Sequence, residues 1–281
     1  MEIRAGATNT PIVAATMEVL PHSDDGRQIR RRLGWPGQPG TGEVAAEVRH
    51  YLATLRAKQV TLPDDLRMVN GPDGLEMRHR RVDGTALTEL PGSQAAEFVT
   101  AVRRVGDWVN RLHDSEARLD PSLAGFVLDR GANLTYVKVV PPLLTTRRPV
   151  ETTPWRQILG ALRYDRNVTL CAMAGYAARH LLRTLEPGEP LTTHGAAVIA
   201  LCPGHPRPST RPAMWFHART RAAELALTGR IAAQQAMAVY AATSLLVLRG
   251  IPPSDQRAHI EVALAAAAAL SRDSSGKAPR M

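Results

Sequence analysis

Between residues 113 and 120 the chain carries His113, Asp114, Glu116 and Asp120, an imidazole and three carboxyl groups in one polar stretch. A lysine, Lys138, follows inside the otherwise apolar run Tyr136-Val137-Lys138-Val139-Val140. A carboxylate or imidazole within hydrogen-bonding reach of a hydroxyl or amine orients it or accepts its proton. Asp120 and Asp114 are the candidates for that role, with His113 beside them. Lys138 offers a point charge that pairs with phosphate or carboxylate. Asp129 is a further carboxylate, but its place beside Arg130-Gly131 gives it a hairpin-turn role.

These groups need elements to hold them. Phe98, Val102, Val105, Val109 and Leu112 recur at three- and four-residue steps, which predicts a helix with one apolar face ending at Leu112-His113. After the polar loop, residues 125–128 and 134–140 read as two strands joined by a turn over 129–133 and closed by Pro141-Pro142. On the second strand Tyr136 and Lys138 alternate with Val137 and Val139, so a plain structural role for Lys138 is an outward position on a half-buried strand.

Upstream, residues 12–20 and 28–33 form a hairpin around Ser23-Asp24-Asp25-Gly26, where Asp-Gly supplies the turn. The second of these strands carries Arg30-Arg31-Arg32. A connector rich in Gly and Pro covers 34–42, and a helix follows over 43–58 with Val44, Val48, Tyr51, Leu52 and Leu55 on one face and Glu43 and Glu47 along it. Glu47, next to the apolar stripe, is the better placed of the two to reach a basic side chain on the preceding strand. Residues 66–69 and 75–82 read as another hairpin, followed by Asp83-Gly84-Thr85-Ala86-Leu87. Beyond Pro142 the pattern is helical over 155–162, 169–185, 212–227, 230–248 and 254–270. Breaks such as Glu186-Pro187-Gly188 and Gly250-Ile251-Pro252-Pro253 separate these helices, Ser254 is placed to cap the last one, and the tail from 271 is polar.

In this order and spacing the run from Phe98 to Leu144 resembles the catalytic region of kinase-like phosphotransferases, the superfamily of protein kinases and aminoglycoside or choline phosphotransferases. There a loop Asp orients the substrate hydroxyl, an Asn about five residues on holds magnesium, and a hairpin delivers a second magnesium-binding Asp. Asp120 fits the first role. The Asn position reads Gly125 or Phe126, and the second Asp position reads Lys138, so the resemblance implies a scaffold whose metal site has been taken apart. It further implies an α+β, bilobal protein-kinase-like fold, with a small β-rich lobe over 1–90 and a large, mainly helical lobe over 91–281 that carries the hairpin. Arg30 would stand for the phosphate-clamping lysine and Glu47 for the helix glutamate that pairs with it.

The function expected from the resemblance is a pseudokinase that binds a peptide, a small-molecule substrate or a partner enzyme, with no cofactor. The alternative is an active phosphotransferase acting on a hydroxyl of a small molecule or of a peptide Ser or Thr, which alone would call for ATP and Mg. A composition carried by Ala, Leu, Val and Arg is similar to that of high-GC bacterial genes and suggests specialised-metabolite biosynthesis by association only.

A net charge of +9 raises nucleic acid as a second alternative. The arginines are dispersed, aromatics make up only 4% of the residues, and no nucleic-acid-binding signature occurs, so nucleic acid is not the expected partner. No window approaches the roughly 18 apolar residues of a membrane span, and the N-terminal residues lack an apolar core. A cytoplasmic, reduced setting is the expectation, with Cys171 and Cys202 far apart in sequence. The spacing of His194, Cys202, His205 and His217 matches no compact zinc pattern, so no metal ligand is assigned. Serine-nucleophile and thiol-protease signatures are absent.

Overall fold

The structure, a computed structural model, describes residues 17–20, 27–33, 41–71, 74–185, 191–202 and 208–273. The Asp25-Gly26 turn, most of the 34–42 connector, the Glu186-Pro187-Gly188 break, His205 and the tail beyond 273 lie outside them.

Strand β1 (Met17–Leu20) pairs antiparallel with β2 (Gln28–Leu33), β2 with β4 (Gly74–Arg80), and β4 with β3 (Arg67–Gly71), giving the order β1-β2-β4-β3. Helix α1 (Thr41–Ala57) falls between β2 and β3 in sequence. Residues directly opposite one another on paired strands share a face of the sheet. Arg31 and Leu33 therefore lie with Met77 and Leu75, and Arg30 and Arg32 lie on the other face with Arg78 and Glu76. The apolar face joins Val48, Tyr51, Leu52 and Leu55 of α1 in the main core.

From β4 the chain passes through Asp83-Gly84 into β5 (Thr85–Ala86), the edge of a sheet ordered β5-β7-β8, with β7 at Phe126–Leu128 and β8 at Leu134–Tyr136. Gly84 has φ +155°, and a Cβ there would sit 2.4 Å from the Leu128 carbonyl oxygen. Both strain and clash oppose any side chain. Gly84→Ala should cost about 3 kcal/mol by urea unfolding, whereas Ala at the open, exposed Gly42 should cost nothing measurable.

Helix α2 (Ala95–Arg111) forms where the periodicity predicts it, and Phe98, Val102, Val105, Val109 and Leu112 are all buried. Two short strands not anticipated from sequence, β6 (Ala117–Arg118) and β9 (Leu143–Leu144), pair with each other and bracket the loop and hairpin. Strand β8 stops at Tyr136, short of the expected Val140. There the Val137 N–H turns to the Gly125 carbonyl at 2.9 Å, and Pro141-Pro142 cannot extend a ladder.

The rest is helical. Helix α4 (Arg166–Thr184) packs against α2, α3 (Pro154–Tyr164), α5 (Leu191–Ile199) and α6 (Arg211–Leu227). Its middle is an almost continuous run of buried residues. The single helix expected over 230–248 is instead α7 (Ala233–Ala242) and α8 (Leu245–Gly250). The last helix, α9, spans Gln256–Asp273, and Ser254 does not cap it: its hydroxyl donates to Asp255.

The chain is thus α+β, small antiparallel sheets followed by packed helices. One apolar core runs from Leu33 and Val48 through Phe98, Trp108 and Tyr136 to Leu181, crossing the boundary expected near residue 90. A second, around Trp215, Phe216 and Ile260, holds the distal helices together.

Candidate functional site

Residues 112–122 are held by three devices. The Arg118 guanidinium reaches back to the end of α2, donating from Nη1 to the carbonyls of Leu112 (2.8 Å), Ser115 (2.7 Å) and Ala117 (2.8 Å), and from Nη2 to His113 (3.2 Å). These include carbonyls that a helix terminus leaves without intrahelical partners. A phenol chain supports the other side: the Asp120 N–H donates to Tyr136 Oη at 3.2 Å, Tyr136 hydrogen-bonds Tyr51, and Tyr51 donates to the Arg118 carbonyl at 2.8 Å. Burial, then the nearby Asp120 carboxylate, pushes the Tyr136 phenol up from its ordinary range, so it remains protonated. Phe126 packs between Trp108 and Tyr136, with ring centroids 6.3 and 5.1 Å away.

Asp120 and Lys138 meet. Lys138 Nζ lies 2.9 Å from Asp120 Oδ2, and Asp120 Oδ1 accepts the Ser122 N–H at 3.0 Å. Both oxygens of the best-placed carboxylate are therefore engaged, one by a cation. Gly125 lies under the lysine stem: a Cβ there would be 3.0 Å from Lys138 Cβ. Lys138 is thus turned toward Asp120, and the outward strand position considered for it is not the one it takes.

The other expected site residues are not brought to Asp120. His113 and Asp114 are exposed on the turn after α2 and do not line the cavity that Asp120 lines. Asp129 locks the β7–β8 turn, accepting from the Asn133 N–H at 2.8 Å and Nδ2 at 3.1 Å. Glu47 does not reach a basic residue of the preceding strand; it pairs with Arg147, just past β9. Arg30 points to the opposite face of the sheet and pairs with Glu76 at 3.0 Å. The cation on the α1 side of β2 is Arg31, close enough to Tyr136 for its charge to act on the phenol. Three consecutive arginines gave no sequence signal for which of them faces inward.

Glu76 is fully buried between two cations, with Arg78 Nη2 at 2.8 Å in addition to Arg30. Burial raises its carboxyl pKa, but the two guanidiniums outweigh it and leave the net value below the ordinary 4.5. The unfolded chain thus binds this proton more tightly than the folded one. The stabilisation from Glu76 is complete above pH ~4.5 and is lost as pH falls through the lower folded value. Glu76→Gln should flatten the acid limb of a stability–pH profile and cost about 2 kcal/mol at pH 7, less than a fully buried pair because both arginines are partly exposed.

On the far side of Asp120 a cavity of about 260 Å³ opens between the 120–123 loop and α4, whose Tyr176, Arg179, His180 and Arg183 line it. Sequence reasoning missed these residues, although their three- and four-residue spacing on α4 was visible. No cluster of three metal-ligating side chains, and no helix long and apolar enough to cross a membrane, occurs among the described residues. Neither a family model, a curated protein nor a solved structure matches the chain.

Proposed function

We propose that the chain is a degenerate relative of the kinase-like phosphotransferases, two-lobed in plan, that binds a ligand at the Asp120 crevice without metal-dependent phosphoryl transfer. The order of elements supports the likeness: an early hairpin, α1, a second hairpin, the Asp83-Gly84 crossing, α2, the Asp120 loop and the β7–β8 hairpin. The observation that carries the functional reading is the Lys138–Asp120 ion pair. Phosphoryl transfer from a nucleotide depends on cations that bridge the phosphate oxygens. Here an ammonium sits where the likeness would put a divalent ion, and it occupies the carboxylate that would orient the acceptor hydroxyl. Asp120 therefore acts as an anchor for Lys138 and the loop, not as a base.

Calorimetric titration with ATP, with and without magnesium, tests this. The expected result is no magnesium-dependent ATP affinity. Saturable binding that requires magnesium, or phosphate transfer to any acceptor hydroxyl, would overturn it.

A further inference from the structure

The cavity beside Asp120 has an excess of positive charge. Asp120 is the one carboxylate among its lining residues, and Lys138 already neutralises it. Arg179 and Arg183, four residues apart on α4, both reach the cavity, and neither forms an ion pair with a carboxylate among the described residues.

A third guanidinium stands behind the wall. Arg219 of α6 is only 4% exposed, has no carboxylate partner among the described residues, and keeps its Nε without a hydrogen bond. It stacks over Tyr176, a wall residue, at 5.2 Å and over Tyr240 at 4.7 Å, while Arg179 stacks over the same Tyr240 ring at 5.6 Å. Aromatic faces offset part of the cost of burying a cation, but two guanidiniums on one ring repel each other. The mutual repulsion of Arg179 and Arg219 falls if an anion enters beside them.

The rest of the lining restricts the ligand's shape. Pro121, Leu123 and Leu162 give apolar wall, the Ser122 N–H is committed to Asp120, and His180 donates from Nε2 to the Leu90 carbonyl at 3.0 Å. A fully hydrated inorganic ion would leave the apolar wall unmatched. An anionic head on a small ring or branched chain would match both parts, with the fork of each arginine binding a carboxylate or phosphate through paired hydrogen bonds.

We infer that this cavity binds a small organic anion, a carboxylate or a monophosphate ester on a compact apolar body, held by Arg179 and Arg183. The inference rests on reading the Asp120 crevice as a binding site, and it needs neither nucleotide nor magnesium.

The test is calorimetric titration of the full chain, in metal-free buffer, with benzoate, phenyl phosphate, inorganic phosphate and benzylamine. Arg183→Gln and Arg179→Gln are titrated alongside. Arg183 is exposed and its side chain makes no hydrogen bond or ion pair among the described residues, so its replacement should leave the unfolding midpoint in place. Expected is saturable binding of benzoate or phenyl phosphate, weaker binding of inorganic phosphate, none of benzylamine, and about a tenfold loss of affinity in each variant. Comparing benzoate with phenyl phosphate identifies the preferred head group.

No saturable binding of either aromatic anion, equal binding of benzylamine, or unchanged affinity in Arg183→Gln would overturn the inference. Such a result combined with no magnesium-dependent ATP binding would leave the proposed function standing. Magnesium-dependent ATP binding would defeat that function directly.

Discussion

Replacing Lys138 with Asp should give a protein that divalent cations stabilise. In the native chain the ammonium lies 2.9 Å from Asp120 Oδ2 and repels cations from the crevice. Lys138→Asp swings the local charge by two units and leaves two carboxylates facing each other, an arrangement that resists double ionisation and therefore costs stability in metal-free buffer. Magnesium or manganese at millimolar levels should recover that loss, because a ligand that binds only the folded state stabilises it by mass action.

Gly125 is coupled to the same change. Its missing Cβ leaves room for the lysine stem, which would otherwise meet it at 3.0 Å. Gly125→Asn alone should therefore cost about 2 kcal/mol by overpacking. In the Lys138→Asp background the Cβ contact remains, but the Cδ contact at 3.5 Å and the rest of the stem are gone. The asparagine amide then has space there, so the change should cost less and add an oxygen ligand. Thermal unfolding of the four proteins with and without metal forms a double-mutant cycle, and the expected coupling is about 1 kcal/mol without metal and larger with it. Additive effects in metal-free buffer, or a metal shift in the unmodified protein, would show that the two positions do not form one remodelled site.

How much of the site was legible in the sequence follows from what each signal contains. Lys138 stands out as a charge inside an apolar run, but the alternation gave it an outward strand position, and the ladder ends at Tyr136 before reaching it, so its turn toward Asp120 was not legible locally. The face of β2 is not fixed locally. Arg30, Arg31 and Arg32 are chemically alike, and only the pairing of Arg31 with Met77 and of Leu33 with Leu75 across the sheet sets which one turns inward. The partner of Glu47 likewise comes from Arg147, about a hundred residues away in sequence, and β6 and β9 are too short to leave any pattern.

Residues 230–248 show a tertiary contact overriding a helical composition. Arg219 Nη1 donates to the Thr243 carbonyl at 2.6 Å, and the buried Thr243 hydroxyl donates to the Val239 carbonyl at the same distance. The oxygen that would extend the helix is taken by a buried cation from α6, and α7 ends there. The cavity arginines were hidden for a related reason. The periodicity of α4 marked them as one helical face, but only the approach of the 120–123 loop makes that face the wall of a cavity.

Arg118→Met should be the most destabilising single change in the loop, at about 3 kcal/mol. The side chain is half-buried, and burial lowers its pKa from the usual arginine range, but its fork serves the carbonyls of Leu112, His113, Ser115 and Ala117. Nε adds the Tyr164 carbonyl at 3.3 Å, which ties the end of α3 to the same point. A methionine fills most of the volume but donates nothing, so the His113, Ser115 and Tyr164 carbonyls lose the guanidinium together, at roughly 1 kcal/mol each where water cannot replace it, while Leu112 and Ala117 keep donors from Ser115. Arg118→Lys should recover little, since a single ammonium cannot span acceptors on both sides of a planar fork.

Urea unfolding gives the magnitude, and hydrogen exchange gives the location. Amides at 115 to 120 should exchange much faster in Arg118→Met, while those of α4 fall only by the global loss. The Tyr51 and Tyr136 chain holds the backbone of residues 118 and 120 from the opposite side, so the loop should loosen at its α2 end first. If exchange instead rises uniformly through the loop and α4, Arg118 stabilises the whole fold, and the positioning of Asp120 belongs to the phenols.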